Sequence, residues 1–182
     1  MGKIKRHQKQ KFYIIVEGKT EEIYFNQIKQ LPEFRGIYYP YVLEVVSAKS
    51  INELFKFFQN GKIGRDGVTL EKGLTAFIFD KDHLTREQLN AMLANDNYII
   101  GFSNPSFELW LLAHFVELRN QHADVSQELL TYFPMFTKAS VKITDLSKDY
   151  AIAISNSALM GKPDFEHIGT SVGNVIEYLL KK

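Results

Sequence analysis

The stretch Phe77-Ile78-Phe79-Asp80-Lys81-Asp82 decides the reading of this chain. An apolar run ends abruptly in two carboxylates one residue apart. Apolar side chains without alternation suit a strand buried on both faces, as in a parallel sheet covered by helices. In open sheets of that kind, ligands bind just beyond the carboxyl ends of the strands. Alternate strand residues point the same way, so Asp80 and Asp82 can converge on one cation. Taken alone, the same residues also fit a strand end followed by a solvated turn, where Asp is common.

The same pattern recurs on either side. Lys11 to Val16 (KFYIIV) reads as a first strand that stops at Glu17-Gly18. Gly18 permits a tight turn there. Thr20 is the expected N-cap of the next helix, Glu21 and Glu22 suit its first turn, and Pro32 closes it. Tyr41 to Val46 is a second strand. Ser50 and Glu53 have capping-box spacing and open a helix through Phe58, which Asn60-Gly61 ends. Gly61 to Gly73 is expected as a loop. Leu74 to Phe79 forms the third strand, Thr85 and Gln88 cap a helix through Leu93, and Tyr98 to Phe102 forms the fourth. Strands alternating with helices give an α/β fold with a mainly parallel four-stranded sheet flanked by helices.

The next stretch, Ser103-Asn104-Pro105-Ser106-Phe107-Glu108-Leu109-Trp110, leads into a helix that is apolar nearly all round and should be buried. Ser106 is its expected N-cap. Glu108 is the anomaly, because a buried carboxylate is costly unless it is paired or bound to metal. His114 lies on another face and reads as a packing residue. Helices are then expected over Ser126–Phe133, Ile143–Leu159 and Thr170–Leu180, with Phe136-Thr137-Lys138 in a loop between the first two. The organisation is a basic arm (1–10) and one domain (11–182), made of an α/β core (11–118) and a helical C-terminal extension (119–182).

Composition bounds the function classes. A chain of 182 residues, 45% apolar with 14 Phe, makes one well-cored domain. The net charge of +1 excludes a global polyanion-binding signature, although Lys3, Lys5, Arg6, Lys9 and Lys11 crowd the first stretch. They form either an arm for phosphate backbones or a solvated tail. With no Cys, disulfides and thiolate metal sites are excluded. No secretory signal core and no run of about 20 apolar residues is present, so a cytoplasmic protein without membrane contact is expected.

Glu17 and Glu21 follow the first strand, Asp80 and Asp82 the third, and Glu108 the fourth. If the first and third strands are neighbours, these groups form an all-oxygen cluster that repels itself unless a cation intervenes. Mg²⁺ or Mn²⁺ suits such ligands. Phosphodiester hydrolysis is the natural chemistry of such a centre. Gly18-Lys19-Thr20 imitates the end of a P-loop, but the position that needs the first glycine is Tyr13, so nucleotide binding by that route is rejected. A haloacid-dehalogenase-type phosphatase fits less well, because Leu84 stands where Thr or Val follows its second Asp.

Glu-Gly after a first strand with Asp-x-Asp after a later one resembles the Toprim domain of topoisomerases, primases and overcoming-lysogenization-defect nucleases. More closely, the chain resembles the RloB family of phage-defence and restriction-associated proteins. The residues that carry this resemblance are Val16-Glu17-Gly18-Lys19-Thr20-Glu21 with Tyr24-Phe25, Phe79-Asp80-Lys81-Asp82, Ser103 to Trp110 with His114-Phe115, Lys138, and Gly169-Thr170-Ser171-Val172. The resemblance spans most of the chain from Phe12 onward. It implies a Toprim-like Rossmannoid fold and a metal-dependent nuclease of antiviral defence. Glu17 would be general base or ligand, Asp80 and Asp82 would hold Mg²⁺ or Mn²⁺, and Glu21 and Glu108 would support a second ion. Lys138 would join Glu17, Asp80 and Asp82 in catalysis, while Lys19, Ser103 and Asn104 would contact substrate. Expected partners are DNA or RNA, an ATPase or other defence protein, and a second copy of the chain. The rival reading is a non-catalytic module that binds nucleic acid or a defence partner.

Overall fold

The computed structural model describes residues 9–35, 39–64, 67–82, 84–119, 124–138, 140–142, 146 and 150–181. Most of the basic arm and the start of the helix expected from Ile143 lie outside the described residues.

Strand β1 (Gln10–Val16) leads to α1 (Lys19–Ile28), the short α2 (Pro32–Arg35) and β2 (Tyr41–Ser47). Helix α3 (Ile51–Asn60) follows, then a small antiparallel hairpin of β3 (Lys62–Ile63) and β4 (Val68–Thr69). Strand β5 (Thr75–Asp80), α4 (Arg86–Leu93) and β6 (Ile99–Asn104) continue the alternation. The chain ends with α5 (Glu108–Ala113), α6 (Val125–Tyr132), α7 (Tyr150–Ala158), β7 (Gly169–Thr170) and α8 (Val172–Leu180). No helix among the described residues is long and apolar enough to cross a membrane.

The main sheet has the order β2-β1-β5-β6-β7. The first four strands are mutually parallel, and β7 pairs antiparallel with β6. The α/β architecture and mainly parallel sheet are as the sequence indicates, with a fifth, short strand added. Gly169-Thr170, expected to open the last helix, instead forms that strand, so the C-terminal segment completes the sheet as well as capping it. The expected Gly61–Gly73 loop contains the β3–β4 hairpin, whose two-residue strands are too short for periodicity to reveal. Gly61 ends α3 in the left-handed conformation (φ 61°) that glycine adopts without strain.

The core has two layers because the central strands bury both faces. Phe12, Ile14 and Val16 of β1 and Ala76 and Ile78 of β5 pack against α1, α5, α7 and α8. Ile15, Phe77 and Phe79 point the other way, against Leu54 and Phe58 of α3 and Leu89 and Met92 of α4. At Gly101 in β6, a Cβ would sit 2.6 Å from Ile78 Cδ1 and 3.2 Å from Val175 Cγ2. The glycine therefore lets α8 lie close on the sheet.

This topology positions the site. The chain leaves β1 through α1 on one face and reaches β5 by way of α3 on the other. Strand order reverses at that point, where open α/β sheets form their ligand crevice. Val16 pairs with Ile78, and the Glu17 N–H donates to the Ile78 carbonyl at 3.3 Å. Glu17 and Asp80 thus flank the crevice at the carboxyl edge.

Candidate metal centre at the carboxyl edge

A cleft of about 290 Å³ opens there, lined by Glu17, Gly18, Lys19, Thr20, Glu21, Lys49, Asp80, Asp82, Phe107, Glu108 and Lys138. All five carboxylates singled out in the sequence come together in it, with Lys19 and Lys138.

Helix α1 supplies Glu21. Its N-cap is Gly18, in extended backbone (φ −94°, ψ 159°), so Gly18 is not needed for a left-handed turn. Its need is steric: a Cβ at Gly18 would stand 2.2 Å from Glu21 Oε2. The bare backbone lets the Glu21 carboxylate fold back over the helix start. Thr20, expected as the cap, lies inside the helix, and its Oγ1 donates to the Lys138 carbonyl at 3.0 Å. Gln27, two turns on, donates through Nε2 to the Val141 carbonyl. Together these bonds staple the lysine-bearing segment along α1.

Helix α5 supplies Glu108. Phe107, not Ser106, precedes its first residue, and no side chain caps it. Glu108 is 2% exposed. Lys138 Nζ approaches its Oε1 at 3.6 Å from a largely exposed side chain. The two helices are tied beneath the cleft, where Tyr24 Oη of α1 lies 3.4 Å from His114 Nε2. His114 is buried among Tyr24, Trp110 and Tyr150, as a packing residue.

Asp80 ends β5. Its Oδ1 is shut off from solvent, with no hydrogen-bond partner among the described residues. Burial first, then the charges of Glu21, Glu108 and Glu17, hold its carboxyl well above the usual range, and a bond from the Phe107 N–H offsets this only in part. Burial likewise pushes Glu21 up to about 7, reinforced by Glu108 and Glu17 and opposed by its own N–H and by Lys138. Metal-free, the cleft thus holds protons that carboxylates normally release.

Asp82 lines the cleft by a different route from the one expected. The strand stops at Asp80, so alternation does not carry to Asp82. An exposed turn brings it to the rim instead.

Ser103 and Asn104, expected to contact substrate, are not in the cleft wall. Ser103 is fully buried, with its Oγ 2.9 Å from Thr170 Oγ1. Asn104 Nδ2 donates to the carbonyls of Asp164 and His167, both at 3.0 Å. Both side chains bind the 164–170 segment to the sheet edge, which removes them from ligand contact. Lys19 lines the cleft and pairs with Glu22 at 3.1 Å.

Lys49 was missed by the sequence reading. It follows β2 much as Glu17 follows β1, and the Ala48 N–H donates to the Val16 carbonyl at 2.8 Å. Both residues lie just beyond the carboxyl end of a strand, but a lone lysine forms no cluster in the sequence.

A family model described as RloB-like protein matches residues 12–179. No curated protein and no solved structure matches the chain. The match covers nearly all of the domain whose carboxyl edge carries this cleft, and the chain belongs to the RloB-like family.

Proposed function

We propose that the chain is a divalent-metal-dependent nuclease that hydrolyses phosphodiester bonds, acting in the cytoplasm in defence against phage. The observation that carries this reading is Asp80. Its Oδ1 is a buried, unpartnered oxygen among further carboxylates at the switch point of the sheet. Leaving such a group unsatisfied costs about 1–3 kcal/mol, which a bound cation removes. The donor set is all oxygen, as Mg²⁺ and Mn²⁺ require. Among the described residues no three carboxylate or imidazole side chains already stand as a ligand group. Cation binding therefore requires side-chain rotation, which the exposed Asp82 and partly exposed Glu17 permit.

Glu17, Asp80 and Asp82 would hold the ion, with Glu21 and Glu108 supporting it or a second one. The ion supplies an activated water and charge stabilisation for the departing oxygen. The protein's own groups do the rest. Glu17 accepts the proton of the attacking water. Lys138, held against Glu108 by the Thr20 bond, stabilises charge developing on the phosphate. Lys19 and Lys49 at the rim bind flanking phosphates.

The test is cleavage of a mixed DNA and RNA panel with Mn²⁺, comparing wild type with Glu17→Gln and Asp80→Asn. Cleavage by the wild type and loss in both folded variants is the expected result. Nucleic-acid binding without cleavage, unchanged by Asp80→Asn, would transfer the protein to the binding-module reading.

A further inference from the structure

The nuclease reading uses only the carboxyl edge of the sheet and leaves the basic start of the chain without a role. The first eleven residues hold five Lys and Arg and no Asp or Glu; the remaining residues hold 17 Lys and Arg against 21 Asp and Glu. The net charge of +1 therefore conceals a basic start and an acidic remainder of −4.

The fold places the described end of that stretch, Lys9 to Lys11, at the amino edge, opposite the carboxylates. Gln10 begins β1 and pairs with Tyr41 at the start of β2. Helix α1 runs back from the cleft, so its C-cap, Lys29, arrives at the same edge, followed by Arg35 at the end of α2. A depression of about 430 Å³ lies between them, its wall including Lys9, Lys29, Arg35, Tyr41 and Glu44. Glu44, the one acid among the described residues of that wall, is held by Lys11 at 3.2 Å. Lys29 and Arg35 make no ion pair among the described residues. Tyr41 offers a partly exposed ring beside these cations, braced by Phe12 and Tyr39.

We propose that this amino-edge surface, centred on Lys29 and Arg35 with Lys9 and Lys11, is a second contact for the phosphate backbone of the nucleic acid cut at the carboxyl edge. The proposal rests on the nuclease reading for the identity of its ligand. Its physical reason is that the five carboxylates of the cleft oppose a polyanion, so the three lysines beside them need further phosphate contacts elsewhere on the surface to hold it. From Lys9 to Glu17 the strand rises about 26 Å at ~3.3 Å per residue. At ~3.4 Å per base pair, a duplex of about 8 base pairs is the shortest that reaches both edges. Shorter substrates occupy one edge at a time.

The experiment uses full-length Asp80→Asn protein in EDTA and fluorescence anisotropy of labelled 20-mers between 50 and 200 mM salt, beside Mn²⁺-dependent cleavage of a tetranucleotide by the same variants with Asp80 retained. The Lys29→Glu/Arg35→Glu pair is compared with Lys56→Glu/Lys162→Glu as a control for net charge, and with Lys29→Gln/Arg35→Gln should the reversal perturb folding. The expected result is at least tenfold weaker binding of the 20-mers for the amino-edge pairs. For a duplex, the slope of log K against log salt should fall by about 2, since each phosphate contact contributes ~0.9. With Asp80 in place and Mn²⁺ present, the KM for cleavage of the tetranucleotide should not change, because turnover reports the cleft alone. Equal weakening in the control pair, or an equal rise in the KM for tetranucleotide cleavage, would overturn the proposal. So would absence of nucleic-acid binding, or preference of this surface for polyglutamate. A protein that binds through this edge yet cleaves nothing with Mn²⁺ (tested without the Asp80 substitution) would refute the nuclease reading and leave the second contact standing.

Discussion

Thr20 Oγ1 donates a 3.0 Å hydrogen bond to the carbonyl of Lys138, joining residues 118 positions apart. The bond fixes the backbone of the lysine to the helix that carries Glu21. Lys138 is otherwise on an exposed loop, and its ion pair with Glu108 alone would not set its position. Thr20→Val, which keeps the shape and removes the donor, should lower the cleavage rate about tenfold. That is a fraction of the ~10²–10³-fold loss expected for removing a charge-stabilising group outright, as in Lys138→Ala. Thr20→Ser should restore the rate, and KM should hardly move. Loss of binding in place of turnover would show that Thr20 acts elsewhere.

Gly18 contributes through what it lacks. A methyl at this position would collide with the Glu21 carboxylate at 2.2 Å and turn it out of the cleft. Gly18→Ala should weaken Mn²⁺ binding about 10-fold, in the range of other changes that disturb ligand orientation. The backbone there is extended, so circular dichroism and Tm should stay close to wild type. A large fall in Tm with unchanged Mn²⁺ affinity would contradict this account of Gly18.

The raised carboxyls make stability depend on pH in a stated direction. Glu21 ionises at about 7 in the folded chain, against an ordinary value of 4.5, so between these limits the folded state holds more protons than the unfolded one. Metal-free stability then falls as pH rises through that window, and the penalty is complete above it. His167, drawn up by Asp164, gives a trend of the same sign in the 164–170 segment beyond the end of β6. Glu21→Gln separates the Glu21 share, because it leaves Asp80 and His167 in place. Melts of metal-free protein should show Tm falling from pH 5 to pH 8 more steeply in wild type than in Glu21→Gln. Mn²⁺ should raise Tm at pH 8 far more than at pH 5.

Asn104 was assigned to substrate from its motif, yet it serves the fold by satisfying two backbone carbonyls. Asn104→Ala should cost about 2–3 kcal/mol, as expected for buried groups left without partners. In a domain of this size that is a Tm loss of roughly 5–10 °C. Mn²⁺ affinity should be retained once the variant is folded. Equal stability with impaired substrate binding would return Asn104 to the role first assigned.

Strong local signals were legible in the sequence. The doubly buried strands, the caps at Ser50 and Thr85, and the carboxylates after β1 and β5 all follow from periodicity and capping chemistry. Features set by tertiary contact were not. Strand β7 is two residues long and exists because β6 offers an open edge. Thr20 is diverted from capping by a loop distant in sequence. Ser103 and Asn104 share a motif with Glu108, but the strand they end is covered by the 164–170 segment. Asp82 was placed in the cleft for the wrong geometric reason, since alternation stops where the strand stops.

The most direct test of the central claim is a calorimetric titration of Mn²⁺ into wild-type and Asp80→Asn protein at pH 8. The account predicts saturable binding by the wild type, with proton release detectable as a dependence on buffer ionisation enthalpy. It predicts that Asp80→Asn loses most of that binding while remaining folded. No binding by the wild type, or binding that Asp80→Asn leaves unchanged, would contradict a metal centre at the carboxyl edge.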